Sequence, residues 1–137
     1  MLELEEVCNM EKLSVKHGLL CTSIEIVHEG KRIKIYDVIV DTGAFHTILP
    51  PDIIDEMEIS FADDDELIQS YGLGGGICSS VRKRIDEFSC GDMTIKDMKI
   101  DFGEIDPEER INGLLGLDFL QQAGIIIDLK KLVMYRK

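Results

Sequence analysis

The chain has 137 residues, 45% of them hydrophobic, and a formal net charge of -12 at pH 7. This length fits a single domain that buries a substantial core. The acidic balance excludes a nucleic-acid-binding surface and an anionic-membrane surface, because both need clustered Lys and Arg. No apolar stretch approaches the roughly 20 residues that a membrane-spanning helix needs. We therefore expect no nucleic-acid partner and no membrane partner.

The first residues and the cysteines bear on the compartment. Met1 to Glu6 contain no positive region followed by an apolar run, so we expect no secretory signal. The four cysteines form no Cys-x-x-Cys pair. This pattern favours reduced thiols in a cytoplasmic protein, with a disulfide or a metal site as the alternatives.

Residues 1–18 are acidic and mixed in character, and we predict that they form an N-terminal segment outside a folded domain of residues 19–137. The domain begins with β-forming residues over 19–27, followed by a hairpin turn at 28–31. From Arg32 to Tyr36 polar and apolar residues alternate, as in a half-exposed strand.

Val38, Ile39 and Val40 then form a continuous apolar run, which indicates that this strand passes into a buried position. Downstream, turn residues separate further strand-like and helix-like segments. The predicted strands are 67–71, 77–88, 93–102, 111–115, 125–127 and 132–135, and the predicted helices are 51–57 and a short one after Asp118. Many short strands with two short helices predict a mainly β domain, closed or sandwiched.

Asp41, in Asp41-Thr42-Gly43, directly follows the buried run. An unpaired charge in that position is costly, and a glycine two residues later permits a tight turn. An aspartate that caps amides in an ordinary turn is the alternative interpretation.

Three motifs in order along the chain resemble the retropepsin-like aspartic peptidases. The first is an apolar strand, Asp-Thr-Gly-Ala, two variable residues and Thr47-Ile48-Leu49. The second is the glycine-rich stretch 71–77, placed like the flap hairpin of that family. The third is Leu114-Leu115-Gly116-Leu117-Asp118, which precedes a short helix. With the flanking strands, the resemblance covers about 110 residues.

The resemblance implies a closed β-barrel of the acid-protease fold with a flap hairpin and one or two short helices. It implies an aspartic endopeptidase that needs no metal and no cofactor, because a water molecule held by two carboxylates attacks the peptide bond. By the same resemblance, Asp41, Thr42 and Gly43 are the catalytic residues. The substrate-binding residues that it implies are Ala44, Tyr71, Gly72, Leu73, Gly74, Gly75, Gly76 and Leu115.

The chain contains one Asp-Thr-Gly motif, whereas two-lobed pepsin-like enzymes carry two. The predicted assembly is therefore a homodimer in which each copy supplies Asp41, acting on an extended peptide or protein substrate. By resemblance, the two Thr42 hydroxyls bond across the twofold axis, and the Gly43 carbonyl contacts the substrate backbone. The apolar segments 125–127 and 132–135 are candidates for a dimer sheet.

We make separate predictions for several residues near the Asp-Thr-Gly motif and near Asp118. Ala44 stands where pepsin-like enzymes usually have a serine, so we expect an activity optimum between mildly acidic and neutral pH. Phe45 and Leu117 replace the ion pair that retroviral enzymes often have near the dimer interface. We expect Asp118 to cap the following helix and His46 to lie at a surface or at the rim of a pocket.

Other interpretations stay open. The glycine-rich stretch is also compatible with a mobile loop or a phosphate-binding loop, although the latter would need a helix and Lys-Ser/Thr after the glycines. Two charged runs, 63–66 and 82–84, are expected to be solvated. The alternative function is a non-catalytic peptide-binding or dimerisation module on the same fold.

Overall fold

The computed structural model describes residues 10–71, 76–105 and 111–136, and these residues are mainly in strands. The strands are β1 (Glu11–Lys12), β2 (Ser14–Lys16), β3 (Leu19–His28), β4 (Lys31–Val40), β5 (Ile48–Leu49), β6 (Glu66–Tyr71), β7 (Ile77–Cys90), β8 (Met93–Gly103), β9 (Leu114–Leu115), β10 (Ile125–Asp128) and β11 (Val133–Arg136). The helices are α1 (Asp52–Glu56) and α2 (Leu117–Gln122). The prediction of many short strands with two short helices is confirmed. Neither of these described helices is long and apolar enough to cross a membrane.

Six strands form a closed ring. The larger sheet runs β2-β3-β4-β9-β5-β8-β7-β6, and β3 also pairs with β7, for example at Ile26 and Phe88. The strands from β3 to β7 therefore return to their starting point, which is compatible with the predicted barrel. β6 lies outside this ring, at the end of the sheet, and pairs with β7.

Local turn chemistry explains the antiparallel pairs in this ring. Glu29 and Gly30 connect β3 to β4, and both have positive φ, 52° and 78°. Two consecutive residues of this kind form the tight hairpin turn whose twist matches that of the flanking strands. Gly91, at φ 61°, serves the connection from β7 to β8. The first of these turns was predicted from the sequence as a hairpin turn.

The core lies inside the ring and beneath α2. Ile24 and Ile26 of β3 alternate inward and are almost fully buried. The rings of Phe88 and Phe119 pack at a centroid distance of 5.2 Å, so α2 is fastened to β7 by aromatic contact. This packing fixes the position of α2, which carries part of the candidate site.

The predicted boundary at residues 18 and 19 is wrong for the described part of the N-terminal segment. β2 pairs with β3, and β1 pairs with β11 in a second sheet of order β1-β11-β10. Leu13 is buried, and its amide donates to the carbonyl of Leu132, 2.8 Å away. Residues 10–18 therefore belong to the domain. Residues 1–9 lie outside the described residues.

The two charged runs are not simply solvated, contrary to the expectation from their composition. The side chains of Lys83 and Asp65 are only 4% and 5% exposed and form an ion pair. Lys83 also donates to the carbonyl of Ser60 at 3.1 Å. Burial raises the pKa of Asp65, but hydrogen bonds from Lys83 and from the Ala62 amide, together with nearby positive charge, outweigh it and hold this pKa below its ordinary value. The pair ties the loop before β6 to the middle of β7.

The three described cysteines are free, as reduced thiols would be. Cys21 and Cys90 are buried, whereas Cys78 on β7 is exposed. Burial raises the pKa of Cys90 to about 12, so this thiol stays protonated and behaves as a core residue. Cys8 lies outside the described residues.

Candidate active site

The loop with the Asp-Thr-Gly motif connects β4 to β5, and both of its ends attach to β9. Val40 of β4 pairs in parallel with Leu115, and Ile48 of β5 pairs in antiparallel with Leu114. The amide of Asp41 donates to the carbonyl of Leu115 at 3.0 Å. β9 thus lies between the two strands and fixes where the loop begins and ends.

The carboxylate of Asp41 is oriented by its own loop. The amide of Gly43 donates to Oδ1 of Asp41 at 2.9 Å, and the amide of Ala44 donates to the carbonyl of Asp41 at 3.2 Å. The second bond closes a four-residue turn. Among the described residues, the Gly43 amide is the only hydrogen-bond donor to this carboxylate. Asp41 is half-buried, so its other oxygen can receive a ligand from outside the chain.

Thr47 and Asp118 join the loop to α2. Thr47 is 0% exposed; its hydroxyl donates to Oδ1 of Asp118 at 2.7 Å and accepts from the amide of Gly116 at 3.0 Å. Its amide donates to Oδ2 of Asp118 at 2.8 Å. The buried hydroxyl and amide of Thr47 are therefore satisfied by residues about 70 positions away in the chain.

The expectation that Asp118 caps the helix describes only part of this role. The N-cap position of α2 is Gly116, and it makes no side-chain capping bond. Asp118 lies in the first turn, where Oδ1 accepts from the amide of Phe119 at 2.8 Å. The same carboxylate holds Thr47, so it fastens the loop to the helix. Pattern reading identified the helix start but could not identify its distant partner.

Loss of the Thr47 hydroxyl should loosen this connection. We expect Thr47→Val to lower the free energy of unfolding by about 1–3 kcal/mol, because it leaves the buried Gly116 amide without an acceptor. Urea unfolding measures the change. Thr94→Val is the matched control: Thr94 is exposed and bonds only the Ser89 hydroxyl among the described residues, so its unfolding should change by less than about 0.5 kcal/mol. Equal effects of the two substitutions would contradict the assignment.

Two backbone hydrogen bonds complete the contact between the loop and α2. The amide of Leu117 donates to the carbonyl of Ala44 at 2.9 Å, and the amide of Asp118 donates to the carbonyl of Phe45 at 3.1 Å. A Cβ atom on Gly116 would lie 2.8 Å from the carbonyl carbon of His46 and 2.9 Å from the carbonyl oxygen of Ala44. Only glycine allows the helix to approach the loop this closely.

An ion pair that was not predicted from the sequence connects the Asp41 loop to β7. Arg82 on β7 binds Asp101 on β8 through two bonds, of 2.7 and 3.2 Å. The amide of Asp101 in turn donates to the carbonyl of Thr47 at 2.9 Å. The basic run 82–84 was the only sign of this ion pair in the sequence. Its acidic partner, Asp101, could be identified only from the pairing of β7 with β8.

The other predicted site residues occupy different environments. Thr42 and Gly43 are exposed, and Ala44 is half-buried. Leu115 is fully buried in the core, so its side chain is not available to a substrate and the prediction that it binds substrate is limited to its backbone. Its contribution is the backbone carbonyl that holds Asp41.

The predicted flap is only partly within the described residues. β6 and β7 pair in antiparallel up to Tyr71 and Ile77, on either side of the glycine-rich stretch. Gly76 is described and exposed. Gly72, Leu73, Gly74 and Gly75 lie outside the described residues, and of Tyr71 only the backbone is described. Their predicted contacts with substrate remain predictions.

Comparison with known proteins agrees with this geometry. A sequence-family model described as aspartyl protease matches residues 24–119. The chain belongs to the aspartyl protease family, because the match includes the Asp41 loop and more than half of the chain. A search of curated proteins returned no match.

A solved structure is similar over almost the whole fold. It is described as the crystal structure of a retropepsin-like aspartic protease from Rickettsia conorii, with a TM-score of 0.63 and 20% sequence identity. The alignment covers 91% of this chain and 86% of that one. At this identity the likeness establishes the fold, which is retropepsin-like as the sequence motifs predicted.

Proposed function

We propose that the chain is an aspartic endopeptidase whose active site forms between two copies, each supplying Asp41. The observation that carries this proposal is the single Asp41 carboxylate, half-buried at the end of a buried strand. One of its oxygens is held by Gly43, and no other described group of the chain bonds it. We infer that the second carboxylate comes from another copy, since a twofold axis supplies an identical one.

The proposed chemistry follows from bringing two carboxylates together. Two such groups in contact cannot both ionise at low cost, so they share a proton. The ionised one takes a proton from a bound water as that water attacks the scissile carbonyl, and the protonated one donates to the carbonyl oxygen. The Gly43 amide keeps Oδ1 of Asp41 in place during this exchange.

The proposed substrate is an extended peptide that lies between the loop and the β6–β7 hairpin. An extended backbone can add strand-like hydrogen bonds to a hairpin. Thr42 and Gly43 are exposed beside Asp41, where their polar groups could bond the partner copy and the substrate backbone. We also propose a cytoplasmic location, which the three free cysteines of the described ranges support.

A mixing experiment tests the shared site. Wild-type chain is held at a fixed concentration at which it is dimeric, and Asp41→Asn chain is added until the subunits have exchanged. Random pairing predicts that cleavage of a peptide library falls to about one half with an equal amount of variant and to about one quarter with a threefold excess.

Two comparisons make the result decisive. Asp63→Asn chain, altered at an exposed loop residue, should raise the rate in proportion to the chain added. If each chain worked alone, added Asp41→Asn chain would leave the rate unchanged, and the shared site would be refuted.

A further inference from the structure

Phe45 is an exposed aromatic residue in the rigid part of the Asp41 loop. The residue is 68% exposed, although its backbone carbonyl accepts a hydrogen bond from the amide of Asp118 in α2. The ring packs edge-on against His46 at a centroid distance of 4.7 Å, with an interplanar angle of 77°. A large apolar ring is thus exposed on a loop whose backbone is already hydrogen-bonded to α2, so covering the ring orders little additional backbone.

The turn at Asp41 places this ring near any partner that completes the site. The bond between the Ala44 amide and the Asp41 carbonyl keeps those two Cα atoms within about 7 Å. One further peptide unit adds about 3.8 Å, so the Cα atom of Phe45 lies within about 11 Å of that of Asp41. When two Asp41 carboxylates share a proton, each Phe45 Cα atom therefore lies within about 11 Å of the Cα atom of an aspartate at the shared site.

The net charge of the chain favours an apolar contact over a polar one for the association of two copies. Each copy carries a formal net charge of -12, so long-range forces oppose the approach of two copies. Burial of exposed aromatic surface favours association without adding charge. Aromatic side chains at the centre of an interface commonly supply much of its binding free energy.

Resting on the proposed function, we propose that Phe45 packs against the second copy and is an apolar anchor of the dimer. The ring then links assembly to catalysis, because the loop that supplies the carboxylate also supplies the contact. The partner is a second copy of this chain, and the surface is the outward side of the Asp41 loop.

Sedimentation equilibrium tests this proposal with a matched pair of substitutions. Phe61 is 81% exposed and lies between α1 and β6, which makes Phe61→Ala the control. We expect Phe45→Ala to raise the dimer dissociation constant about 10- to 100-fold, because each dimer loses two buried rings. Phe61→Ala should leave the constant within about twofold of wild type. Thermal unfolding of the monomer at high dilution should be unchanged by either substitution.

Photocrosslinking gives a second readout that does not depend on affinity. Benzoylphenylalanine at position 45 should yield a covalent dimer on illumination, whereas the same group at position 61 should not. A dimer that forms and cleaves peptides normally with Phe45→Ala, without a crosslink from position 45, would overturn this proposal while leaving the proposed function intact. A wild-type chain that stays monomeric and cuts no peptide would overturn both.

Discussion

Substitution of Asp41 by asparagine is expected to abolish peptide cleavage while the protein remains folded and dimeric. The substitution removes both carboxylates of the proposed pair, since each copy supplies one. General acid and base contributions are each worth about 10²–10⁴-fold, so we expect a fall in kcat of at least about 10⁴-fold. Cleavage of a peptide library between about pH 4 and 7.5 measures the loss, over the range expected for such pairs.

The same variant separates the enzyme from the alternative functions. The asparagine amide is nearly isosteric with the carboxylate and can still accept a hydrogen bond from the Gly43 amide. Peptide binding and the dimer mass should therefore persist in an enzyme that has lost its chemistry. A dimeric wild-type protein that cuts nothing in this pH range would favour the binding or dimerisation module instead. Asp63→Asn, in an exposed loop, should leave cleavage unchanged.

Breaking the buried ion pair between Lys83 and Asp65 is expected to have the largest effect on stability. Lys83→Met leaves the Asp65 carboxylate without its counter-charge in a site where only 5% of that side chain is exposed. Removal of one partner of a buried pair costs about 3–5 kcal/mol of unfolding free energy. Chemical denaturation followed by circular dichroism measures the difference.

Two comparisons test the cause of that loss. Lys99 forms an ion pair with Glu66 at 3.7 Å, with both side chains about half exposed, so Lys99→Met should cost less than about 1 kcal/mol. Adding Asp65→Leu to Lys83→Met removes the stranded carboxylate and should recover most of the stability. Equal losses for Lys83→Met and Lys99→Met would show that burial does not govern the pair.

The pair also predicts how stability responds to acid. Hydrogen bonds from Lys83 and from the Ala62 amide, together with nearby positive charge, hold the pKa of Asp65 below its ordinary value in the folded protein. A carboxylate of this kind contributes stability fully above its unfolded pKa of about 3.9, and the contribution is lost as the pH falls through the lower folded pKa. The difference in unfolding free energy between wild type and the Lys83→Met, Asp65→Leu double variant should therefore move against wild type below about pH 4. A difference that does not change with pH would contradict this linkage.

Local patterns in the sequence were sufficient for much of the fold. The switch from alternating residues to the apolar run 38–40 predicted that β4 becomes buried just before Asp41, because side-chain periodicity reflects burial on each face of a strand. The hairpin turns at Gly30 and Gly91 were predictable, since residues that adopt positive φ mark tight turns. Two-residue strands such as β5 carry too little periodicity to be recognised.

By itself, the sequence determined the buried strand that leads to Asp41, and the proposals that Asp41 is catalytic and acts with a second copy rest on short motifs and on their number. Only the tertiary structure decided which distant groups support the loop. Thr47 meets Asp118, and Lys83 meets Asp65, through the register of strands and the docking of α2. Composition marked Lys83 and Asp65 as solvated, because burial depends on what packs against a residue from elsewhere in the chain.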